Sequence, residues 1–281
     1  MSGLRRRKIV NIVAMSLAAA CAAAGLFLLF VILYDVLVEG MGSLRLRLFT
    51  QDPAPPNIPG AGGLRSAFLG QGLLTLAASV VGVPVGVLGG TFLAEYGRHY
   101  KICRLISTLS DMAVSIPSIV IGTFVYAVLV KPMGGFNGWA GAAALAIIIL
   151  PIILRTTEEM MTMVPWSLRE AAFALGAPYC KVITSIVWRS AMSGIFTGVL
   201  LAVARVAGET APLLFTSFNS NFFQLGLNRA TPSLTVSIYQ YAASPYETWV
   251  ETAWAAAFVV TFLVLLLNVV GRIFIKIKKV G

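Results

Sequence analysis

Apolar runs long enough to cross a bilayer alternate along this chain with short polar or Gly/Pro-rich breaks. A spanning helix needs roughly 20 consecutive, mostly apolar residues. The first run extends from Ile9 to Val38, behind Arg5, Arg6, Arg7 and Lys8. Small residues from Ala18 to Ala24 raise a signal peptide as the competing reading. A signal core holds only about 7–15 apolar residues, so residues 1–40 read as an uncleaved spanning anchor. Residues 41–65 form a break with Asp52-Pro53-Ala54-Pro55-Pro56 and Gly60 to Gly63. Such backbone cannot lie in hydrocarbon, so this is an external loop.

Five further spans follow, near Ser66–Leu93, Leu105–Val130, Trp139–Leu154, Ala191–Phe215 and Thr252–Ile275. Between them lie a polar turn (Glu95–Arg104), a Pro/Gly loop (Lys131–Gly138), an amphiphilic stretch (155–190) and a long outer loop (216–251). The pattern predicts an all-α membrane protein of six transmembrane helices. Residues 66–275 form the main domain and 276–281 a basic tail.

Charge sets the orientation. Only 11% of the 281 residues are charged, 58% are hydrophobic, and the mean hydropathy is +0.87. A soluble domain carries about a quarter charged residues. The net charge of +10 would suggest nucleic acid in a soluble protein. With the N-terminus in the cytoplasm, however, 15 Lys/Arg fall inside and only Arg45, Arg47, Arg65, Lys131 and Arg229 outside. That bias predicts both termini in the cytoplasm of a multi-pass protein of a prokaryotic inner membrane, with lipid and not nucleic acid around it. Cys21, Cys103 and Cys180 have no metal-ligand spacing and read as free thiols. The lone His99 falls in a cytoplasmic turn and offers no zinc site, and no metal site is expected anywhere.

Against this apolar background a few features carry information. Gly82, Gly86 and Gly90 recur every fourth residue and so share one helix face, a close-packing surface more readily than a ligand site. The segment Pro165-Trp166-Ser167-Leu168-Arg169-Glu170-Ala171-Ala172-Phe173-Ala174-Leu175-Gly176-Ala177-Pro178 reads as a short helix with a charged start, stopped at Gly176. It could dock in a partner's groove or lie on the membrane surface, and amphipathicity alone leaves both open.

The fifth span carries Arg205-Val206-Ala207-Gly208-Glu209-Thr210-Ala211-Pro212. An Arg at mid-membrane is unfavourable by about 2.5–3.5 kcal/mol. Arg205 and Glu209, four apart, share a face and partly neutralise each other, while Gly208 and Pro212 loosen the helix. One reading is an ion pair that locks neighbouring helices. The other is a charged lining of a water-filled path, where Arg suits oxyanion recognition. Glu209 would then keep the bound state shallow enough for release, with Thr210 beside it. Ser115-Ile116-Pro117-Ser118 could line a path with hydroxyls or mark a packing kink. Asp111 reads as interfacial, and Arg155 as a boundary anchor after Pro151. The outer residues Thr231-Pro232-Ser233-Leu234-Thr235-Val236 and Tyr239 could touch an external partner or cap the bundle.

Glu170, Ala171, Ala172 and Gly176, with Ile183, Ile186 and Gly194 beyond, resemble the EAA loop of ABC-importer permeases, the coupling helix that docks into the ATPase. Many such loops end in Leu-Pro, where this chain has Trp188-Arg189. Add Arg155-Thr156-Thr157-Glu158-Glu159, the Arg205–Pro212 segment and Ala242-Ala243-Ser244-Pro245, and the chain from about Gly70 to Gly271 resembles the PstA-type permeases of phosphate ABC importers.

The resemblance implies the type I ABC importer permease fold. It implies passage of phosphate past Arg205 and Arg155, and ATPase docking through Arg169 to Gly176. It also implies four partner components: a related PstC-type permease, two PstB-type ATPases carrying ATP and Mg, and an external PstS-type phosphate-binding protein.

No Gly-x-x-x-x-Gly-Lys-Ser/Thr, Gly-x-Ser-x-Gly or His-Glu-x-x-His pattern occurs, so no enzyme activity or cofactor is expected in this chain. Two alternatives stand. One is an ABC permease for another solute such as sulfate, molybdate or an amino acid. The other is a stand-alone secondary transporter, which would show repeat symmetry that this sequence lacks.

Overall fold

The computed structural model describes residues 2–55, 62–97, 100–220 and 226–280. His99, and Pro56 to Ala61 of the outer loop, lie outside the described residues. Among the described residues the regular structure is helical throughout. Helix α1 (Ser2–Ser43) leads to a single turn, α2 (Arg47–Thr50), then to α3 (Arg65–Tyr96). Next come α4 (Lys101–Ser115) and α5 (Ser118–Val125), which runs on through a π-helical turn to Val130. Helix α6 covers Gly138–Thr162, followed by the short α7 (Trp166–Ala174). Helix α8 (Tyr179–Val182), a π-helical turn (Ile183–Val187) and α9 (Trp188–Val206) form one continuous 28-residue helix. The chain closes with α10 (Ala211–Thr216), α11 (Leu234–Ala242) and α12 (Glu247–Val280).

Five helices are long and apolar enough to cross a membrane, and α4 with α5 makes a sixth span bent by 102°. The direction of the helices shows that this pair crosses once. Gly82, Gly86 and Gly90 of α3 meet Ile149, Ile153 and Leu154–Thr157 of α6 in that order, so α3 and α6 are parallel. Two consecutive long spans can be parallel only if the chain between them crosses back. The elbow falls at Pro117, whose ring favours extended backbone before it: Ile116 has ψ 129° and ends α4. Six crossings put both ends on the same side.

The α3–α6 contact is the centre of the bundle, and the three glycines are what permits it. A Cβ on Gly86 would come within 2.9 Å of Ile153, and one on Gly82 or Gly90 would overlap Ile149 or the Leu154 carbonyl. The core around this contact includes Leu74, Ala78, Leu145, Ile149, Ile153, Ala202, Val206 and Leu213.

Several boundaries differ from the sequence expectation. The fourth span does not stop at Leu154: α6 runs to Thr162, because Arg155, Glu158 and Glu159 pair along its own surface. The fifth span is displaced. Without a proline at 188–189 the helix is continuous from Tyr179, and it ends at Val206 instead of Phe215. Glu95 is not in a polar turn but in the last turn of α3, and it is buried. The outer segment 216–251 contains α11, which packs on α12 and α3 with Leu234, Thr235, Val236, Ser237 and Tyr241 buried, while Tyr239 is exposed.

Candidate functional site

Three polar constellations sit in or beside the spans. The first is the break between α9 and α10. Gly194 and Gly198 of α9 pack on Met160 and Thr156 of α6, so α9 runs antiparallel to α6. Continuing that register places Arg205 level with Ile149, midway along α6 and in the last turn of α9. The helix stops one residue later, where Gly208 and then Pro212, early in α10, interrupt it.

Arg205 and Glu209 do pair, Nε to Oε1, at 3.8 Å. The arginine side chain is 53% exposed and the glutamate 16%. Arg205 therefore heads an outward stripe that runs back through Leu201, one turn earlier, to the partly exposed Thr197 and Ser193. Breaking a helix in a membrane leaves carbonyls without partners. Two are answered from other elements: Gln71 Nε2 donates to the Ala207 carbonyl at 3.1 Å, and the Thr235 hydroxyl to that of Glu209 at 2.9 Å. Thr210, just before α10, accepts the Leu214 N–H at its carbonyl. Gln71 was not singled out from the sequence, and Thr235 only as part of an outer segment that could touch a partner or cap the bundle. A lone glutamine inside an apolar run was the available signal.

The second constellation surrounds Arg155, about 9 Å nearer the opposite end of α6 at 1.5 Å rise per residue. Its guanidinium is shared by Asp111 (3.3 Å), Glu158 (3.3 Å) and Glu159 (2.9 Å), and Nη1 donates to the Ser107 hydroxyl at 3.0 Å. Asp111, half exposed, is thus tied across to α6. Three carboxylates around one arginine leave the group formally at −2. Ser115 and Ser118 flank the elbow; the Ser115 hydroxyl is used on the Asp111 carbonyl at 3.0 Å. The structure does not join these serines to either arginine by a contact.

The third is α7. Gly176 has φ +78°, its N–H donates to the Phe173 carbonyl at 2.9 Å, and the Ala177 N–H to that of Ala172 at 3.1 Å. That is the Schellman arrangement, and it explains the Ala172–Gly176 spacing: four residues separate the third-last helical carbonyl from the left-handed position. Ala172 is buried among Met161, Val164, Val182 and Val187, while Glu170, Ala171 and the 89%-exposed Leu175 face outward.

Arg169, expected with Glu170 in the docking loop, has its side chain on the opposite side of α7. It is only 5% exposed and points into the bundle, where Nη1 donates to both Glu95 carboxylate oxygens at 2.7 and 2.6 Å. Trp188, at the Leu-Pro departure, donates its indole N–H to Thr91 of α3 at 3.2 Å.

A bent spanning pair, a broken span with a half-exposed arginine, and a short capped helix set outside the bundle define a membrane-embedded permease. The chain matches the family described as binding-protein-dependent transport system inner membrane component over residues 82–278. It is similar to the phosphate transport system permease protein PstA of Yersinia pestis (46% identity, 98% of this chain and 92% of that protein) and of Haemophilus influenzae (46%, 97% and 96%). A probable phosphate transport system permease protein PstA of Methanocaldococcus jannaschii is 37% identical over 76% of each chain. Among solved structures, a chain of the inward-facing MetNI methionine ABC transporter superposes with TM-score 0.59 at 20% identity, over 75% of this chain and 92% of that one. The last match shows the fold, that of type I ABC importer permeases. The chain belongs to the inner membrane components of binding-protein-dependent transport systems and, within them, to the PstA-type permeases.

Proposed function

We propose that this chain forms half of the translocation path of an ATP-driven phosphate importer in a prokaryotic inner membrane. A related PstC-type permease supplies the other half, two PstB-type ATPases grip the coupling helices, and a PstS-type protein delivers phosphate from outside. ATP and Mg act on the ATPases. The charge bias assigns the face bearing α7 to the cytoplasm.

The observation that carries the reading is Arg205, a guanidinium half exposed at mid-depth on a broken helix. Hydrocarbon is a poor neighbour for it, so the stripe it heads is covered by the second permease, with water between. There it meets a tetrahedral oxyanion. Glu209 at 3.8 Å offsets part of its charge and keeps the encounter weak. An anion moving toward the cytoplasm next reaches Arg155, whose charge is already exceeded by Asp111, Glu158 and Glu159. That surplus favours release and resists return.

The test replaces Arg205 with Gln and measures phosphate uptake in membranes where the complex still assembles. Uptake should fall by at least about tenfold, the scale of losing one charged contact; undiminished uptake excludes the assignment.

A further inference from the structure

The buried pair of Arg169 and Glu95 joins the short helix α7 to α3, the helix at the bundle's centre. At this point four elements meet. Arg169 comes from α7 and Glu95 from the last turn of α3. The Met161 carbonyl of α6 accepts from Arg169 Nη2 at 3.4 Å, and Tyr179, at the start of the helix that becomes α9, donates its hydroxyl to Glu95 at 2.9 Å. Trp166 closes the site with its ring 5.3 Å from the guanidinium. Both charges are nearly out of solvent, at 5% and 8% exposure.

A buried ion pair is seldom more stable than the apolar pair that could replace it, but it fixes one geometry. What this geometry fixes is the attachment of α7. From the pair the connection is continuous: α3 is seated on α6 through Gly82, Gly86 and Gly90, and on α9 through Thr91 and Trp188. Those two helices carry Arg155 and Arg205.

We infer that Glu95 and Arg169 are positioning residues, a clamp through which displacement of α7 is delivered to α3, and with it to the helices that bear both arginines. Hence Arg169, although adjacent to Glu170, is not part of the ATPase-facing surface. The inference rests on the proposed coupling of α7 to an ATPase.

The experiment uses the whole complex in proteoliposomes and reads phosphate taken up per ATP hydrolysed. Glu95→Gln alone strands a buried guanidinium and so mixes folding with coupling. The double variant Glu95→Gln with Arg169→Met removes both charges. It should assemble and hydrolyse ATP at the wild-type basal rate, while uptake per ATP drops by about tenfold. A merely structural pair would leave that ratio unchanged in the assembled double variant, and this result overturns the inference. If the double variant does not assemble, Arg169→Lys decides, since it keeps the charge but not the second donor toward Met161; an unchanged ratio there also overturns the clamp. If the wild-type complex responds to a different solute, phosphate is the wrong substrate. The same ratio measured with that solute then judges the clamp separately.

Discussion

The hydroxyl of Thr235 reaches the carbonyl of Glu209, 26 residues earlier in the chain, at 2.9 Å. A helix outside the main spans thereby repairs the break that sets Arg205 at its depth. Replacing Thr235 with Val, or Gln71 with Leu, leaves a carbonyl of the break without a partner. Each should destabilise the chain by about 1–3 kcal/mol, seen as earlier thermal unfolding in detergent, and each should reduce uptake by displacing Arg205.

The α3–α6 seam tolerates no added volume. Gly86→Leu forces Ile153 aside and should destabilise by at least about 1–3 kcal/mol, with loss of monodisperse protein on size exclusion. Gly25→Ala, where nothing lies within 4 Å, should leave the elution profile unchanged.

Asp111 is half exposed, and its pairing with Arg155 contributes less than about 1 kcal/mol to stability. Asp111→Asn should leave thermal unfolding unaltered. It relieves part of the negative surplus around Arg155, so phosphate should be held longer, lowering both the maximal uptake rate and the half-saturating concentration. A changed melting temperature with normal kinetics would assign Asp111 to architecture instead.

Glu170 is exposed on the outward side of α7. Glu170→Lys should preserve the folded protein yet reduce recovery of the ATPase in a detergent pull-down, by about tenfold if one charged contact is reversed. Gly176→Val places a β-branched residue at φ +78° and should weaken the same capture by unravelling the end of α7.

The family was read from the resemblance carried by the segments around Glu170, Arg155 and Arg205. Hydrophobic runs and charge bias were enough to read the number of spans, because lipid forces long apolar helices and short polar joints. The glycine face was legible for the same reason: three glycines at four-residue spacing have few uses other than close packing. Helix ends were harder. Arg155, Glu158 and Glu159 look like loop in sequence, but they satisfy one another along α6 and let it run two further turns. The Glu95–Arg169 pair was invisible, since 74 residues separate its members and both look like ordinary interfacial charges. The elbow was half legible: Pro117 marked a kink, but its 102° bend depends on α4 lying against α6 through Cys103, Ser107 and Asp111.

The first helix raises a problem of biosynthesis. Along its apolar length α1 buries nothing against this chain; its seat is Gly40, pressed on Trp254 and Phe258 of α12. A ribosome makes α1 before α12, so α1 waits in lipid without its seat on α12 while the spans between them are inserted. A chain truncated before Trp254 would expose a lone hydrophobic rod to the membrane's proteases. Completion of α12 is thus the event that seats the first helix on the rest of the newborn protein.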